Sequence, residues 1–339
     1  MSRNPIKTNS VAIFMVTYNH EKYVCQAVES IVSQKTSFPF KLFIGEDFST
    51  DSTRDICIKL KEKYPDKIEL LLTEKNIGAL QNAFRVYEAC ITYGKHTAIC
   101  EGDDYWTDKN KLQKQFDFLE ANPEFNICCH RAKVLNEKTK TIKTPKVLKQ
   151  TVFSQEDVAN HNFIQTLTMM FRNSAWKGLP EAYFNSISGD YFINMMLSES
   201  GKIKYFSDVM AVYRQHEGGA WTGKTKTAGL QATLNVLYAF LNTDLSETTI
   251  YYLKRNIVKH HLQTYKLLMS DNPKEAAKQL EMISSPELSE AYTAELAILL
   301  NQNNRSRDYK AGNKLLKPYR EIMNLKTKFA FFFHQFKYN

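Results

Sequence analysis

The sequence predicts an α/β fold, with a mixed, mainly parallel sheet flanked by helices and a helical C-terminal extension. Between Val11 and Cys100, short apolar segments rich in β-branched and aromatic residues alternate with segments of helical periodicity. From about Thr227 onward, the apolar periodicity is helical throughout. Repeated strand–helix–strand units favour a parallel sheet that is covered by helices on both faces.

The first part of the sheet is predicted as four strands with three intervening helices. A proline at position 65 ends the second helix, and Ser49 or Asp51 is its candidate N-cap. The predicted strands are Val11–Thr17, Lys41–Gly45, Ile68–Leu72 and Thr97–Cys100, and the predicted helices are Glu21–Gln34, Asp51–Tyr64 and Ala79–Tyr93.

The second part is less regular. A change to Gly, Lys and Thr near Gly223–Gly229 predicts a boundary between a catalytic domain, residues 1–225, and a helical region, residues 226–339. The predicted strands are Ile127–Leu135, Thr141–Val147, Thr166–Phe171, Lys202–Phe206 and Val209–Arg214, and the predicted helices are Lys111–Ala121, Asp190–Ser200, Leu230–Leu241 and Ser246–Met269.

Composition and charge exclude several classes of protein. The net charge is +9, but the segment Arg305–Asn339 carries most of it, and the body gives no signal for nucleic-acid binding. The N-terminal segment lacks the apolar region of a signal peptide, and no apolar run is long enough to span a membrane. The six cysteines include no CxxC pair and lie in apolar runs, which predicts reduced core thiols and a cytoplasmic protein.

Polar segments follow the ends of all four predicted strands. They are Tyr18-Asn19, the segment from Glu46 to Asp51, Asn76-Ile77-Gly78, and the segment from Glu101 to Asp104. In open parallel sheets, ligands bind outside the carboxyl ends of the strands, close to a switch in strand order. We therefore expect these segments to converge on one nucleotide site.

Glu101, Asp103 and Asp104 place three carboxylates within four residues. Their mutual repulsion is relieved by a hard divalent cation such as Mg²⁺ or Mn²⁺ bound to phosphate oxygens. The alternative is an Asx-turn that leads into the following helix. Tyr105 and Trp106 come next, and they either stack on a sugar or belong to the core.

A second candidate contact lies at the end of the second strand. The carboxylate of Asp47 can accept a hydrogen bond from the imide N–H of uracil, whereas Ser49 to Thr53 suit helix capping. Asn76-Ile77-Gly78 taken alone predicts only a turn.

In combination, these segments resemble the family 2 glycosyltransferases of the GT-A fold from about Val11 to Trp221. Val16 stands where the family usually has proline, and Glu46 and Phe48 replace two residues of its Asp-Asp-Gly-Ser-x-Asp-x-Thr segment. The resemblance rests on Thr17-Tyr18-Asn19, Glu46 to Thr53, Glu101-x-Asp103-Asp104, Lys111-Leu112-x-x-Gln115, Gly189-Asp190-Tyr191 and Val212-Tyr213-Arg214-x-His216-x-Gly218-Gly219.

The resemblance implies an inverting enzyme that moves a sugar from a nucleotide-diphosphate donor, preferably a UDP-sugar, to an acceptor hydroxyl in surface polysaccharide or lipopolysaccharide synthesis. Asp190 would be the general base, although it also suits a helix N-cap. The implied metal ligands are Asp103, Glu101 and His216; the implied donor contacts are Thr17, Tyr18, Asn19, Asp47, Asn76, Gly78, Glu101, Asp103 and Asp104; the implied acceptor contacts are Tyr105, Trp106 and Arg214.

Some alternatives stay open at this stage. His216 also suits an ordinary loop residue, and Arg214 an ordinary surface arginine. The basic, aromatic tail from Lys326 to Lys337 predicts either an anchor on an anionic membrane, close to a lipid-linked glycan acceptor, or a helix end docked on protein. Two other functions compete: a sugar-phosphate nucleotidyltransferase, which would normally need a glycine-rich basic loop after the first strand, and a non-catalytic nucleotide-sugar or carbohydrate-binding module.

Overall fold

The computed structural model describes residues 9–184, 189–219 and 225–295. Within these ranges the chain forms one ten-stranded sheet with helices on both faces. This arrangement confirms the predicted α/β class, the mainly parallel first half and the helical character of the region after residue 225.

The helices and strands are numbered in chain order. Two short 3₁₀ helices, Thr166–Thr168 and Asn173–Ala175, flank strand β9. The strands are β1 Val11–Thr17, β2 Phe40–Glu46, β3 Ile68–Leu72, β4 His96–Ile99, β5 Tyr105–Trp106, β6 Phe125–Asn136, β7 Thr141–Lys143, β8 Val152–Phe153, β9 Met170–Arg172 and β10 Lys202–Gln215. The helices are α1 Val24–Val32, α2 Thr53–Lys63, α3 Ala79–Tyr93, α4 Lys111–Ala121, α5 Gln155–Asn160, α6 Glu181–Phe184, α7 Gly189–Leu197, α8 Lys226–Leu241, α9 Glu247–Leu268 and α10 Pro273–Ile283.

The order of the strands places a switch point beside β1. The sheet runs β3-β2-β1-β4-β9-β6-β10-β5, with β7 paired to β6 and β8 paired to β10. Strands β1 to β4 pair in parallel, whereas β9 is antiparallel to both β4 and β6. The chain moves outward from β1 to β3 and then returns to β4 on the other side of β1. The carboxyl ends of β1, β2 and β4 therefore meet at one edge, where ligands bind in sheets of this kind.

Strand β1 is buried on both faces, and its alternating side chains enter two separate cores. Ala12 and Phe14 belong to the core shared with α3, α5, α7, α8 and α9. Ile13 and Met15 belong to the core shared with α1, α2 and α4. A continuous apolar run is what a central parallel strand requires, because helices cover both of its faces.

The structure corrects two strand predictions. The segment Thr166–Phe171 begins as a 3₁₀ turn, because Met169 N–H donates to the Thr166 carbonyl and the Thr168 hydroxyl donates to the Gln165 carbonyl. The two strands predicted between residues 202 and 214 form the single strand β10. Its register against β6 shifts between Phe206 and Val209, so a bulge absorbs the polar residues that suggested a break.

The helical region shares a hydrophobic core with the sheet domain. The rings of Phe192 on α7 and Phe240 on α8 lie 4.6 Å apart between centroids. The side-chain amide of Asn256 on α9 donates to the Ala159 carbonyl and to the Tyr191 hydroxyl, over 2.9 and 3.0 Å. The residues on either side of the predicted boundary near residue 225 thus pack on each other.

The basic tail from Lys326 to Lys337 lies outside the described residues. Across the described ranges, no helix is both long and apolar enough to cross a membrane. All six cysteines are free, and five are buried as predicted, but Cys25 on α1 is exposed. Its side chain points away from the apolar face of α1, which is formed by Val24, Ala27, Val28 and Ile31.

A buried lysine connects α4 to the core below the acidic turn. Lys111 is fully buried, and its ammonium group donates to Gln115 Oε1 over 2.7 Å and lies 4.0 Å from the centroid of the Trp106 ring. Burial lowers the pKa of Lys111 to about 7. The Gln115 amide nitrogen in turn donates to the carbonyls of Cys128 and Thr168.

Replacing Gln115 with leucine tests this network. The change removes the acceptor of a buried ammonium group and the donor for two buried carbonyls, so we expect the free energy of unfolding to fall by about 3 kcal/mol. Urea unfolding of Gln115→Leu measures this loss, and Gln231→Leu at an exposed position of α8 is the matched control. An equal and small effect of both changes would contradict the role given to Gln115.

Candidate active site

Hydrogen bonds between Asn19 and the segment that precedes α2 join the loops after β1 and β2. Asn19 N–H donates to Ser49 Oγ over 3.0 Å, and Asn19 Oδ1 accepts from Thr50 N–H over 2.9 Å. Asn19 and Phe48 both have left-handed backbones, with φ of 56° and 58°. Residues other than glycine hold this conformation only where their surroundings impose it, and such positions cluster at functional sites.

The predicted N-caps of α2 have other partners. The helix begins after Ser52 rather than after Ser49 or Asp51. Ser49 bonds to Asn19, as described above, whereas Asp51 accepts hydrogen bonds from the N–H groups of Thr53 and Glu21. The segment therefore joins two loops at the rim in addition to starting a helix.

Asp47 orders the loop after β3. Its two carboxylate oxygens accept hydrogen bonds from the N–H groups of Ile77 and Gly78, over 2.8 and 3.0 Å, and its carbonyl accepts from the Asn76 side chain. Asp47 is only 3% exposed. This position favours holding the loop over the predicted contact with a uracil base. Gly78, with φ of 87°, then leads into α3.

A close approach of β1 to the acidic turn depends on Gly102. Its N–H donates to the Val16 carbonyl, and an added Cβ would lie 2.6 Å from Thr17 Oγ1 and 3.2 Å from His20 Nδ1. Any larger residue would push Thr17 and His20 away from the turn. Glycine between Glu101 and Asp103 therefore brings the loop after β1 against the carboxylates.

Arg214 is buried beside the acidic turn, and its N–H groups donate hydrogen bonds to other groups of the protein. Its backbone N–H donates to Asp104 Oδ1, Nε to Glu137 Oε1, Nη1 to the Asp103 carbonyl and Nη2 to Gln26 Oε1. Its guanidinium lies 4.4 Å from the centroid of the Tyr105 ring. The predicted acceptor contact does not fit this position, because the side chain is 4% exposed and instead holds the turn to β10.

Trp106 also differs from its predicted role. It is 4% exposed, belongs to the core with α1 and α4, and donates from its indole nitrogen to the Leu167 carbonyl over 3.0 Å. A buried tryptophan with a satisfied N–H is a core residue. Tyr105 is half-buried, whereas Tyr18 on the loop after β1 is 41% exposed at the rim.

The environments of the three carboxyl groups concentrate negative charge on Asp103. Burial and the charge of Asp103 raise the pKa of Glu101 to about 8. Burial and the charges of Asp103 and Glu101 raise the pKa of Asp104 well above its usual value. Burial also acts to raise the pKa of Asp103, but the hydrogen bond with His216 and the charge of His20 outweigh it, and the net pKa is lowered.

Asp103 lies between two histidines, His216, which is one of the predicted ligands, and His20, which is not. His216 Nε2 lies 3.0 Å and His20 Nε2 lies 3.8 Å from Asp103 Oδ2. One ligand atom from each residue can be chosen so that all three lie within 4.8 Å of one another. Glu101, the third predicted ligand, is not in this cluster. His20 lies three residues after the end of β1, in a loop that was already assigned to the site. This position is the signal in the sequence from which His20 could have been predicted.

Glu101 lies outside this cluster but interacts electrostatically with both Asp103 and Asp190. Glu101 Oε2 is inaccessible to solvent and has no hydrogen-bond partner among the described residues. The negative charge of Asp190, in the first turn of α7, contributes to the raised pKa values of Glu101 and of Tyr213 on β10. The structure therefore brings Asp190 into the same electrostatic environment as the acidic turn.

Residues 12–179 match the family described as Glycosyl transferase family 2. An uncharacterised protein of Mycobacterium tuberculosis, Rv1520, is 32% identical over 238 residues, which cover 67% of each chain. The chain belongs to glycosyl transferase family 2. It is therefore a glycosyltransferase, as the resemblance predicted.

Two solved structures share the fold. Staphylococcus aureus TarS (residues 1–349), in complex with UDP-GlcNAc, has a TM-score of 0.65 and 19% identity over 92% of both chains. The mannosyltransferase PcManGT of Pyrobaculum calidifontis, in complex with GDP-Man and Mn²⁺, has a TM-score of 0.56 and 15% identity, covering 93% of this chain and 86% of its own. At this level of identity the likeness shows a common fold.

The raised pKa of Glu101 predicts a pH-dependent stability in the presence of a chelator. The group ionises near pH ~4.3 in the unfolded chain and only at about 8 in the folded one, so its contribution to folding is complete below the lower value and is lost as pH rises toward 8. In Glu101→Gln this loss is absent, because glutamine is neutral at all pH values.

The measurement is urea unfolding with EDTA between about pH 5 and pH 8. We expect the stability of Glu101→Gln relative to the native chain to increase with pH across this window. Glu74→Gln, at an exposed position, is the control and should show a constant difference. A constant difference for Glu101→Gln as well would contradict the buried, protonated carboxyl.

Proposed function

We propose that this glycosyltransferase is a metal-dependent, inverting enzyme that uses a nucleoside-diphosphate sugar as donor. The observation that supports this most strongly is the position of Asp103. It is a charged carboxylate between His20 and His216, at the carboxyl ends of β1 and β4. A site of this kind suits a divalent cation whose remaining ligands are diphosphate oxygens.

Asp103 and His216 would hold the cation. They fit it because the donor set combines a carboxylate of lowered pKa with an imidazole nitrogen 3.0 Å away. The cation, when bound, offsets the charge that develops on the leaving diphosphate. The exposed loops after β1 and β2, including Tyr18 and Asn19, would line the nucleotide.

Asp190 would act as the general base. It would take the proton of the acceptor hydroxyl while that oxygen attacks the anomeric carbon and the bond from this carbon to the diphosphate oxygen breaks. A single displacement inverts the anomeric configuration. Asp190 lies on α7, next to Tyr191. The Tyr191 hydroxyl fixes this helix in place, because it donates to the Val158 carbonyl and accepts from the Asn256 side-chain amide.

The described residues say less about which nucleoside the donor carries and which acceptor the enzyme uses than about the cation and the base. UDP remains the predicted donor nucleotide, and the TarS complex with UDP-GlcNAc makes it the first to test, although the loop-holding role of Asp47 weakens the argument from uracil. A surface glycan or lipid-linked glycan is still the predicted acceptor, with a membrane contact through the tail outside the described residues. A non-catalytic binding module is the competing function, since such a module would retain the nucleotide site without turnover.

The experiment measures donor hydrolysis and transfer by the purified chain. We expect nucleotide release from one of a panel of UDP-, dTDP- and GDP-sugars with Mn²⁺, and its loss in Asp103→Asn. Asp190→Asn should bind the donor with unchanged affinity while transfer falls by about 10²–10⁴-fold. Calorimetry measures the binding, and chromatography of the released nucleotide measures turnover.

Asp271→Asn, at an exposed position after α9, is the matched control and should behave as the native chain. Donor binding without turnover in the native chain, at any metal concentration, would support the binding module instead. Transfer that persists in Asp190→Asn would contradict the assignment of the base.

A further inference from the structure

The loop after β1 places an imidazole beside Asp103, on the same carboxylate oxygen that His216 contacts. His20 is the residue concerned, and its side chain is 14% exposed. Hydrogen bonds fix both backbone groups of His20. Its N–H donates to Thr53 Oγ1 over 2.7 Å, and its carbonyl accepts from the N–H groups of Tyr23 and Val24 at the start of α1.

The distances in the cluster suit a single ion. Two adjacent ligands with bonds of about 2.0–2.2 Å are separated by about 3 Å, and two opposite ligands by about 4.2 Å. The separations from Asp103 Oδ2, 3.0 Å to His216 Nε2 and 3.8 Å to His20 Nε2, fall in this interval. The chosen ligand atoms of all three residues lie within 4.8 Å of one another, so small side-chain shifts would bring them onto one cation.

The other nitrogen of the His20 ring has a partner that orients it. Nδ1 lies 3.2 Å from Thr17 Oγ1, and the missing Cβ of Gly102 leaves room for both side chains. When Nδ1 carries the proton and donates to Thr17, the lone pair of Nε2 is directed at the cluster. Metal-binding histidines are commonly fixed in this way by a hydrogen bond from the second ring nitrogen.

We propose that His20 is a protein ligand of the cation together with Asp103 and His216, and that this set of two imidazoles and one carboxylate selects a first-row transition-metal ion over Mg²⁺. The proposal rests on the proposed function, because it concerns the same site. Mg²⁺ prefers oxygen ligands and retains its water, whereas imidazole suits first-row ions such as Fe²⁺, Ni²⁺ and Zn²⁺, and Mn²⁺ stands at the weakly binding end of that series. Three ligands leave the remaining coordination positions for phosphate oxygens.

The test titrates the full chain with Mn²⁺ alone and measures free Mn²⁺ by electron paramagnetic resonance. We expect one site in the native chain, an affinity at least tenfold lower in His20→Ala, and a loss of about tenfold in Thr17→Val, which keeps the shape but removes the hydrogen-bond acceptor. Competition with Mg²⁺ should show that His20→Ala reduces the preference for Mn²⁺. His161→Ala, which removes an exposed histidine outside the cluster, should bind as the native chain does.

A second measurement needs no variant. Pulsed electron paramagnetic resonance of the native chain with Mn²⁺ counts the imidazole nitrogens bonded to the ion, and we expect two. One nitrogen, or an unchanged Mn²⁺ affinity in His20→Ala together with its loss in Asp103→Asn, would overturn the assignment of His20 and leave the proposed function intact. If Mn²⁺ fails to bind with or without UDP, while donor turnover persists in EDTA, the metal assignment fails but the transfer activity stands.

Discussion

The structure of the site depends on the repulsion among three carboxyl groups in the turn after β4. Each is relieved differently. Asp104 accepts the backbone N–H of Arg214, and Glu101, whose Oε2 has no hydrogen-bond partner among the described residues, has its pKa raised to about 8 by burial and by Asp103. Asp103 alone is stabilised as an anion, by His216 and His20. The negative charge of the turn is thereby concentrated on Asp103, at the carboxyl ends of β1 and β4, as the proposed binding of a cation with a diphosphate requires.

The surrounding fold supports this arrangement from two sides. The switch in strand order next to β1 brings the loop with Thr17 and His20 against the turn, and Gly102 permits the contact. On the opposite side, Asn256 of α9 bonds to Tyr191, the neighbour of Asp190. The C-terminal helices therefore help to position the proposed base, although they contribute no residue with a catalytic signature.

Local sequence patterns predict the bounds of a helix or strand correctly where the segment is strongly periodic. Strands β1 and β3 and helices α3 and α4 lie at the predicted bounds. The 3₁₀ turn before β9 was missed because its hydrogen bonds are decided by single side chains such as Thr168. The strand-end rule placed the candidate residues at one edge of the sheet, but it does not tell which of their side chains are exposed there. Asp47 and Arg214 turn inward to hold loops, and Trp106 packs in the core, since such orientations follow from tertiary contacts.

The most direct test of the central claim is diffraction from crystals grown with Mn²⁺ and UDP, recorded at the manganese absorption edge. We expect one strong anomalous peak at bonding distance from Asp103 Oδ2 and His216 Nε2, in contact with the diphosphate of the nucleotide. UDP bound at the ends of β1 and β4 with no peak beside Asp103, or a peak on Glu101 and Asp104 instead, would contradict the claim that the negative charge of the turn is concentrated on Asp103.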